Sequence, residues 1–178
     1  MLYFFDTNAL VRRYLFDDGS AWVQQVLEQR SISPFCYISE LTRVEMLSSF
    51  YKIERIRKYH PSFMDAAVAR FNRHMQLSDR ELRQRRYEII PLGEDAVERA
   101  QSLLRKYRGG VPQAIRSLDA LQLAAALIAR DSLSAESQSQ LMFVTSDHQL
   151  GGVAQHEGFT VIRPEDQLSC RGSGCEGA

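Results

Sequence analysis

Five short apolar runs, separated by longer stretches of helical periodicity, constrain this chain more than any other feature. They are LYFF (2–5), FCYIS (35–39), YEIIPL (87–92), LMFV (141–144) and FTVI (159–162). Short runs rich in aromatic and β-branched residues read as buried strands. The segments between them read as helices. One covers Asn8–Phe16, and Ser20 caps a second with Trp22, Val23, Val26 and Leu27 on one face. Ser39 caps a long helix from about Glu40 to Tyr59, with Leu41, Val44, Leu47, Phe50 and Tyr51 as its apolar stripe, and His60-Pro61 ends it. Another runs from Phe63 to about Arg86. A helix opened by GED turns Ala96, Val97, Ala100, Leu103 and Leu104 inward and stops at Gly109-Gly110, and SLDALQLAAALIAR is an alanine-rich helix of strong propensity. A glycine-interrupted helix follows Asp147. Strands that alternate with helices argue for an α/β fold, a parallel sheet covered on both faces, and such sheets bind ligands at the carboxyl ends of their strands.

The length of 178 residues fits one domain, taken as residues 1–166, with a Gly/Ser-rich tail, 167–178, expected to be disordered. Lys+Arg and Asp+Glu total 22 each, so net charge gives no argument for a nucleic-acid partner, and any such case rests on local patches. No apolar run reaches the roughly 18 residues of a membrane span, and no signal peptide is recognisable, so a soluble cytoplasmic protein is expected. Cys36 reads as a small core residue. Cys170 and Cys175 lie in the tail, with no nearby histidine or further cysteine to complete a metal site.

Two of the five strands end alike. LYFF runs into Asp6, and FVTS runs into Asp147. In a parallel sheet both carboxylates emerge at one edge. Glu45, early in the helix after the second strand, and Asp119, in the first turn of the helix before the fourth, can join them there. Each has an ordinary explanation by itself. Asp6 can cap a helix, Asp119 can complement a helix dipole, Asp147 can be a turn residue, and Glu45 can be a solvated helix residue. Together, four carboxylates at one edge repel one another, which a divalent cation or bound protons would relieve. With no His or Cys at ligand spacing, the ion would be a hard one, Mg²⁺ or Mn²⁺.

At these residues the chain resembles the PIN-domain family, in particular its VapC-type toxin ribonucleases. The matching segments are FFDTNALV, ISELTRVEMLSSF, SLDALQLAAAL and FVTSDHQLGGVAQHEGFTVIRPE, which stand in family order between residues 2 and 166. The resemblance implies a three-layer PIN-like α/β fold with a central five-stranded parallel sheet flanked by helices, and Mg²⁺- or Mn²⁺-dependent cleavage of RNA. It places the family's acidic positions on Asp6, Glu45, Asp119 and Asp147 as metal ligands and catalytic residues. It places hydroxyl residues that support them on Thr7 and Thr145. It also implies a homodimer and a small antitoxin protein as partner. Toxin members are shorter, and the surplus here lies mainly in the helical stretch from about 59 to 86 and in the tail.

The expected chemistry is hydrolysis of an RNA phosphodiester without a side-chain nucleophile. The cationic runs that could face RNA are Lys52, Arg55, Arg57, Lys58; Arg80, Arg83, Arg85, Arg86; and Arg105, Lys106, Arg108, each equally readable as a solvated helix face. Arg83, Arg85 and Arg86 are favoured, with Arg12 and Arg13 as further candidates for substrate or antitoxin. The competing reading is a catalytically silent PIN-like module that binds RNA or protein. A small-molecule phosphohydrolase of haloacid-dehalogenase type would need a second aspartate where Asn8 stands.

Overall fold

A computed structural model describes residues 1–28, 36–76, 87–110 and 114–167. Its elements are β1 (Leu2–Phe5), α1 (Thr7–Leu10), a 3₁₀ turn (Val11–Arg13), α2 (Ser20–Glu28), β2 (Cys36–Ser39), α3 (Thr42–Arg57) and α4 (Pro61–Gln76). They continue with β3 (Glu88–Ile90), α5 (Glu94–Lys106), α6 (Ser117–Asp131), α7 (Ala135–Gln138), β4 (Leu141–Val144), α8 (His148–His156), β5 (Thr160–Ile162) and a 3₁₀ turn (Pro164–Asp166). The strands form one five-stranded sheet in the order β3-β2-β1-β4-β5, and every pairing is parallel. The fold is the expected three-layer α/β architecture.

The strand period of two builds the layers. Tyr3, Phe5, Cys36, Ile38 and Val144 face one side, where Leu10, Val23, Met46, Phe50, Met64 and Phe71 from α1 to α4 cover them. Phe4, Tyr37, Leu141 and Phe143 face the other side, against α5, α6 and α8. Phe4 and Phe143 stack across β1 and β4 at 5.6 Å. Alanines 120, 124, 125, 126 and 129 let α6 lie close to the sheet.

Several helices differ from their expected form. α1 ends sooner than Phe16 because the chain tightens into the 3₁₀ turn at Val11–Arg13. The α3 helix begins at Thr42, not Glu40, and the Ser39 hydroxyl, still in β2, accepts from the Leu41 N–H. Its buried residues are Thr42, Met46 and Phe50, whereas Val44 is 69% exposed and Tyr51 59%. A polar residue, Thr42, occupies the inward stripe and shifts the phase read from hydrophobicity. Val97, expected inside α5, is also exposed. The short α7 was not anticipated. Lys58 ends α3 in the left-handed conformation (φ 52°), and Pro61 opens α4, where its missing N–H costs no helical bond. Gly19 has φ +80° and sits so close to the Pro164 backbone that a Cβ would lie 2.4 Å from its carbonyl carbon. Arg80, Arg83, Arg85 and Arg86, as well as Cys170 and Cys175, lie outside the described residues. Among the described residues no helix is long and apolar enough to cross a membrane, and Cys36 is a buried free thiol.

Candidate active site

β1 and β4 are neighbours, and from them the chain winds outward in opposite directions, to β2 and β3 on one side and to β5 on the other. The crevice at their carboxyl ends is therefore the topological switch point, where open α/β sheets bind ligands. Asp6 directly follows β1, and its N–H donates to Val144 O of β4 at 2.9 Å. Asp147 follows β4 by three residues.

Asp6 occupies the N-cap position of α1, but its side chain makes no capping hydrogen bond. The carboxylate instead accepts from the Thr145 hydroxyl at 2.8 Å. It is 2% exposed, and its pKa is raised to about 7, first by burial and then by repulsion from Glu45 and Asp119, against the Thr145 bond. Asp119 is raised as well, first by burial, with Arg116 opposing and Asp147 adding repulsion. Charge coupling thus links all four acids, Asp6 to Glu45 and Asp119, and Asp119 to Asp147.

Each acid has its own anchor. The Glu45 Oε2 accepts from the Thr7 hydroxyl at 2.7 Å and from Gln122 Nε2 at 2.6 Å. Gln122 also donates to Thr7 Oγ1 at 2.8 Å, and it is 1% exposed with its Oε1 unpartnered. Asp119 accepts from the Arg116 guanidinium at 3.2 Å. Asp147 caps α8 by accepting from the Gln149 and Leu150 N–H groups at 2.7 and 3.0 Å. Its own N–H donates to Thr145 Oγ1 at 3.0 Å, so Thr145 ties Asp6 to the Asp147 loop. Arg116 reaches Asp147 as well, at 3.7 Å, and bridges two of the four acids.

As the side chains stand, among the described residues no three His, Cys, Asp or Glu groups are arranged to hold a metal ion. Glu45 is turned toward Gln122, and Asp147 is shared between a helix cap and Arg116. The donor chemistry nevertheless fits a hard divalent cation. It is all oxygen, and Asp6 is a buried carboxyl raised by burial and by repulsion from Glu45 and Asp119.

The arginines expected at the substrate are placed differently. Arg13 is 5% exposed, donates to the Tyr87 hydroxyl at 2.8 Å and lies over the Tyr14 and Tyr87 rings. It belongs to the core, because the 3₁₀ turn points it away from the crevice. Arg12 lies at the crevice, where it donates to Ser146 Oγ at 2.8 Å and pairs with Glu165 at 3.6 Å. Gln122 was missed from sequence. Its only signal was one amide inside an otherwise apolar, alanine-rich helix face.

An all-parallel α/β domain with acids at its switch point defines the class, and the family follows from the sequence itself. The PIN domain model matches residues 3–155, and the chain belongs to that family. No curated protein matches its sequence. Among solved structures it is similar to a toxin–antitoxin complex from Klebsiella pneumoniae (19% identity, 91% of this chain and 97% of that one, TM-score 0.51). It is also similar to VapBC2 from Rickettsia felis bound to a DNA fragment from its promoter (13%, 92% and 98%, 0.56). A third similar structure is FitAB bound to the IR36 DNA fragment (18%, 96% and 100%, 0.57). At these identities the likeness is one of fold.

Proposed function

We propose that this protein is a Mg²⁺- or Mn²⁺-dependent endoribonuclease, the toxin of a toxin–antitoxin pair, that hydrolyses RNA phosphodiester bonds. One observation carries the reading: Asp6, Glu45, Asp119 and Asp147, far apart in sequence, are electrostatically coupled at the switch point, with Asp6 buried and its pKa raised to about 7. A purely structural cluster of this kind would only cost stability. Membership of the PIN family and the similarity in fold to toxin–antitoxin complexes support the same reading.

Asp6, Glu45, Asp119 and Asp147 would hold the cation. A divalent ion supplies Lewis-acid polarisation of the phosphodiester and activates water for in-line attack. The chain's own part is positioning. Thr145 holds the Asp6 carboxylate on one oxygen, Thr7 and Gln122 hold Glu45 on one oxygen, and the α8 N–H groups hold Asp147 on one oxygen. At Asp147 the other oxygen is approached by Arg116, at 3.7 Å. Arg116, with a side chain 75% exposed, is the cation best placed to meet a substrate phosphate.

The test is incubation of the pure protein with cellular RNA and Mn²⁺ or Mg²⁺, beside Asp6→Asn and a chelator control, with the new RNA ends mapped. Discrete cuts that require both metal and Asp6 are expected. Cutting that persists in Asp6→Asn would remove the proposal. A small antitoxin should be encoded beside the gene, and co-expression should suppress the cutting.

A further inference from the structure

Arg12, Arg57, Ser146 and Asp147 line a pocket of about 330 Å³ beside the acids. An arginine so placed invites assignment to a substrate phosphate. Its contacts point to a different role. The Arg12 side chain is only 17% exposed, against 75% for Arg116, and its guanidinium is engaged on both edges. On one edge Nε donates to Ser146 Oγ at 2.8 Å and Nη2 meets Glu165 Oε2 at 3.6 Å. On the other, Nη1 donates to the Asp18 carbonyl and lies 4.0 Å from Asp17 Oδ2. Arg57 pairs with the same Asp17 oxygen at 2.9 Å.

The triangle of Arg12, Ser146 and Glu165 has one possible hydrogen-bond direction. A guanidinium can only donate and a carboxylate can only accept, so the single Ser146 hydroxyl proton goes to Glu165 Oε2, at 3.0 Å. Ser146 is thereby fixed in rotation as well as in place. It stands between Thr145 and Asp147. Thr145 Oγ1 donates to Asp6 and accepts from the Asp147 N–H. Ser146 reaches instead to the two 3₁₀ turns, Val11–Arg13 and Pro164–Asp166. Successive side chains thus pin the loop after β4 to different elements, and the next residue is Asp147.

We propose that Arg12 is a positioning residue: through Ser146 and Glu165 it fixes the loop that carries Asp147, and it does not touch substrate. This rests on the ribonuclease reading and deepens it, because it names what keeps Asp147 in register with Asp6. The role needs the guanidinium fork. A lysine carries one point charge and cannot serve Ser146, Glu165 and the Asp18 carbonyl from fixed directions. A substrate phosphate, by contrast, would accept a lysine in the same place.

The experiment compares wild type with Arg12→Lys, Arg12→Met, Ser146→Ala and the Arg12→Lys/Ser146→Ala double variant, each as the full chain with its melting temperature as the folding control. It reads amide exchange at Gln149 and Leu150 in EDTA, Mn²⁺ affinity by calorimetry, and anisotropy of a short RNA in EDTA. The Gln149 and Leu150 N–H groups donate to Asp147, so their exchange reports how firmly the carboxylate is seated without metal or cutting. Exchange at both should be faster in each single variant. Mn²⁺ affinity should fall roughly tenfold, as on loss of a group behind a ligand, with RNA affinity unchanged. The double variant should be no worse than the worse single one, because the two residues act through one contact. Wild-type exchange and Mn²⁺ affinity in Arg12→Lys overturn the proposal, and so does an additive double variant. So does RNA binding that weakens in Arg12→Met and is kept in Arg12→Lys, the mark of a phosphate contact. If wild type neither binds Mn²⁺ nor cuts RNA, the ribonuclease reading falls and takes the proposal with it. If wild type does both and Arg12→Lys matches it throughout, only the role of Arg12 falls.

Discussion

The side-chain amide of Gln122 donates to Glu45 Oε2 at 2.6 Å while its own carbonyl oxygen, buried in α6, has no partner. The orientation follows from charge, since a flipped amide would point its oxygen at a carboxylate. An orphaned buried acceptor costs about 1–3 kcal/mol, so this glutamine is placed for Glu45 and not for stability. Gln122→Leu should leave the melting temperature nearly unchanged, because the orphan goes with the amide. It should weaken Mn²⁺ binding roughly tenfold, as loss of a group supporting a ligand does. Calorimetric titration of the variant with Mn²⁺ decides it, and unchanged affinity would reduce Gln122 to packing.

Asp6→Asn should abolish cutting and yet stabilise the protein in EDTA. Burial, then repulsion from Glu45 and Asp119, raises the carboxyl to about 7 from its ordinary value of 3.8. A shift of that size at a buried group is worth on the order of a few kcal/mol against the charged form. Asparagine keeps an oxygen for the Thr145 hydroxyl and carries no charge. A higher melting temperature than wild type above pH 7 is expected, and a lower one would show that the carboxylate contributes to the fold itself.

The sheet was legible because its central strands, β2, β1 and β4, are buried on both faces and all five runs are short. The carboxylates were legible because Asp6 and Asp147 end two such runs. The phase of α3 was not, and the cause is instructive. Its inward stripe begins with Thr42, which reaches Thr7 and Gln122 at 3.4 Å each, so a polar residue serving the site disguised the buried face. Val44 and Tyr51 were then placed inside when they are exposed. Arg13 misled in the opposite direction, since an arginine that follows Asp6 closely in sequence is a reasonable candidate until the 3₁₀ turn carries it into the core. Local pattern and fold part company where residues serve the site.

Arg116→Gln should tighten Mn²⁺ binding and weaken RNA binding. The guanidinium bridges Asp119 and Asp147, so it competes with a cation for the same charge. Its side chain is 75% exposed, and exposed pairs of this kind contribute about 0–1 kcal/mol. The gain in metal affinity should therefore not exceed about fivefold. Titration with Mn²⁺ and anisotropy with RNA read the two effects separately. Movement of both in the same direction would mean that Arg116 only shapes the loop.

Gly19→Ala should destabilise the fold without touching the acids. Gly19 has φ +80°, and an added Cβ would lie within 2.7 Å of the backbone at Pro164 and Glu165. The collision is with main chain, which cannot rotate away. A loss of about 1–3 kcal/mol in denaturant unfolding is expected, with Mn²⁺ affinity retained in the folded fraction.

Acid should loosen the α5–α8 side of the molecule through Glu157. Burial alone would raise this carboxyl, but hydrogen bonds from Lys106, at 2.7 Å, and from the Tyr107 hydroxyl outweigh it and hold the pKa below the ordinary range. A depressed carboxyl stabilises the fold above its unfolded pKa, and that contribution is lost as pH falls through the lower, folded value. Wild type should therefore lose stability below about pH 4.5 more steeply than Glu157→Gln, and the two curves should become parallel above it. Melting curves between pH 3 and pH 7 test this. If the two proteins lose stability at the same rate below pH 4.5, the Glu157 contacts with Lys106 and Tyr107 are not maintained in solution.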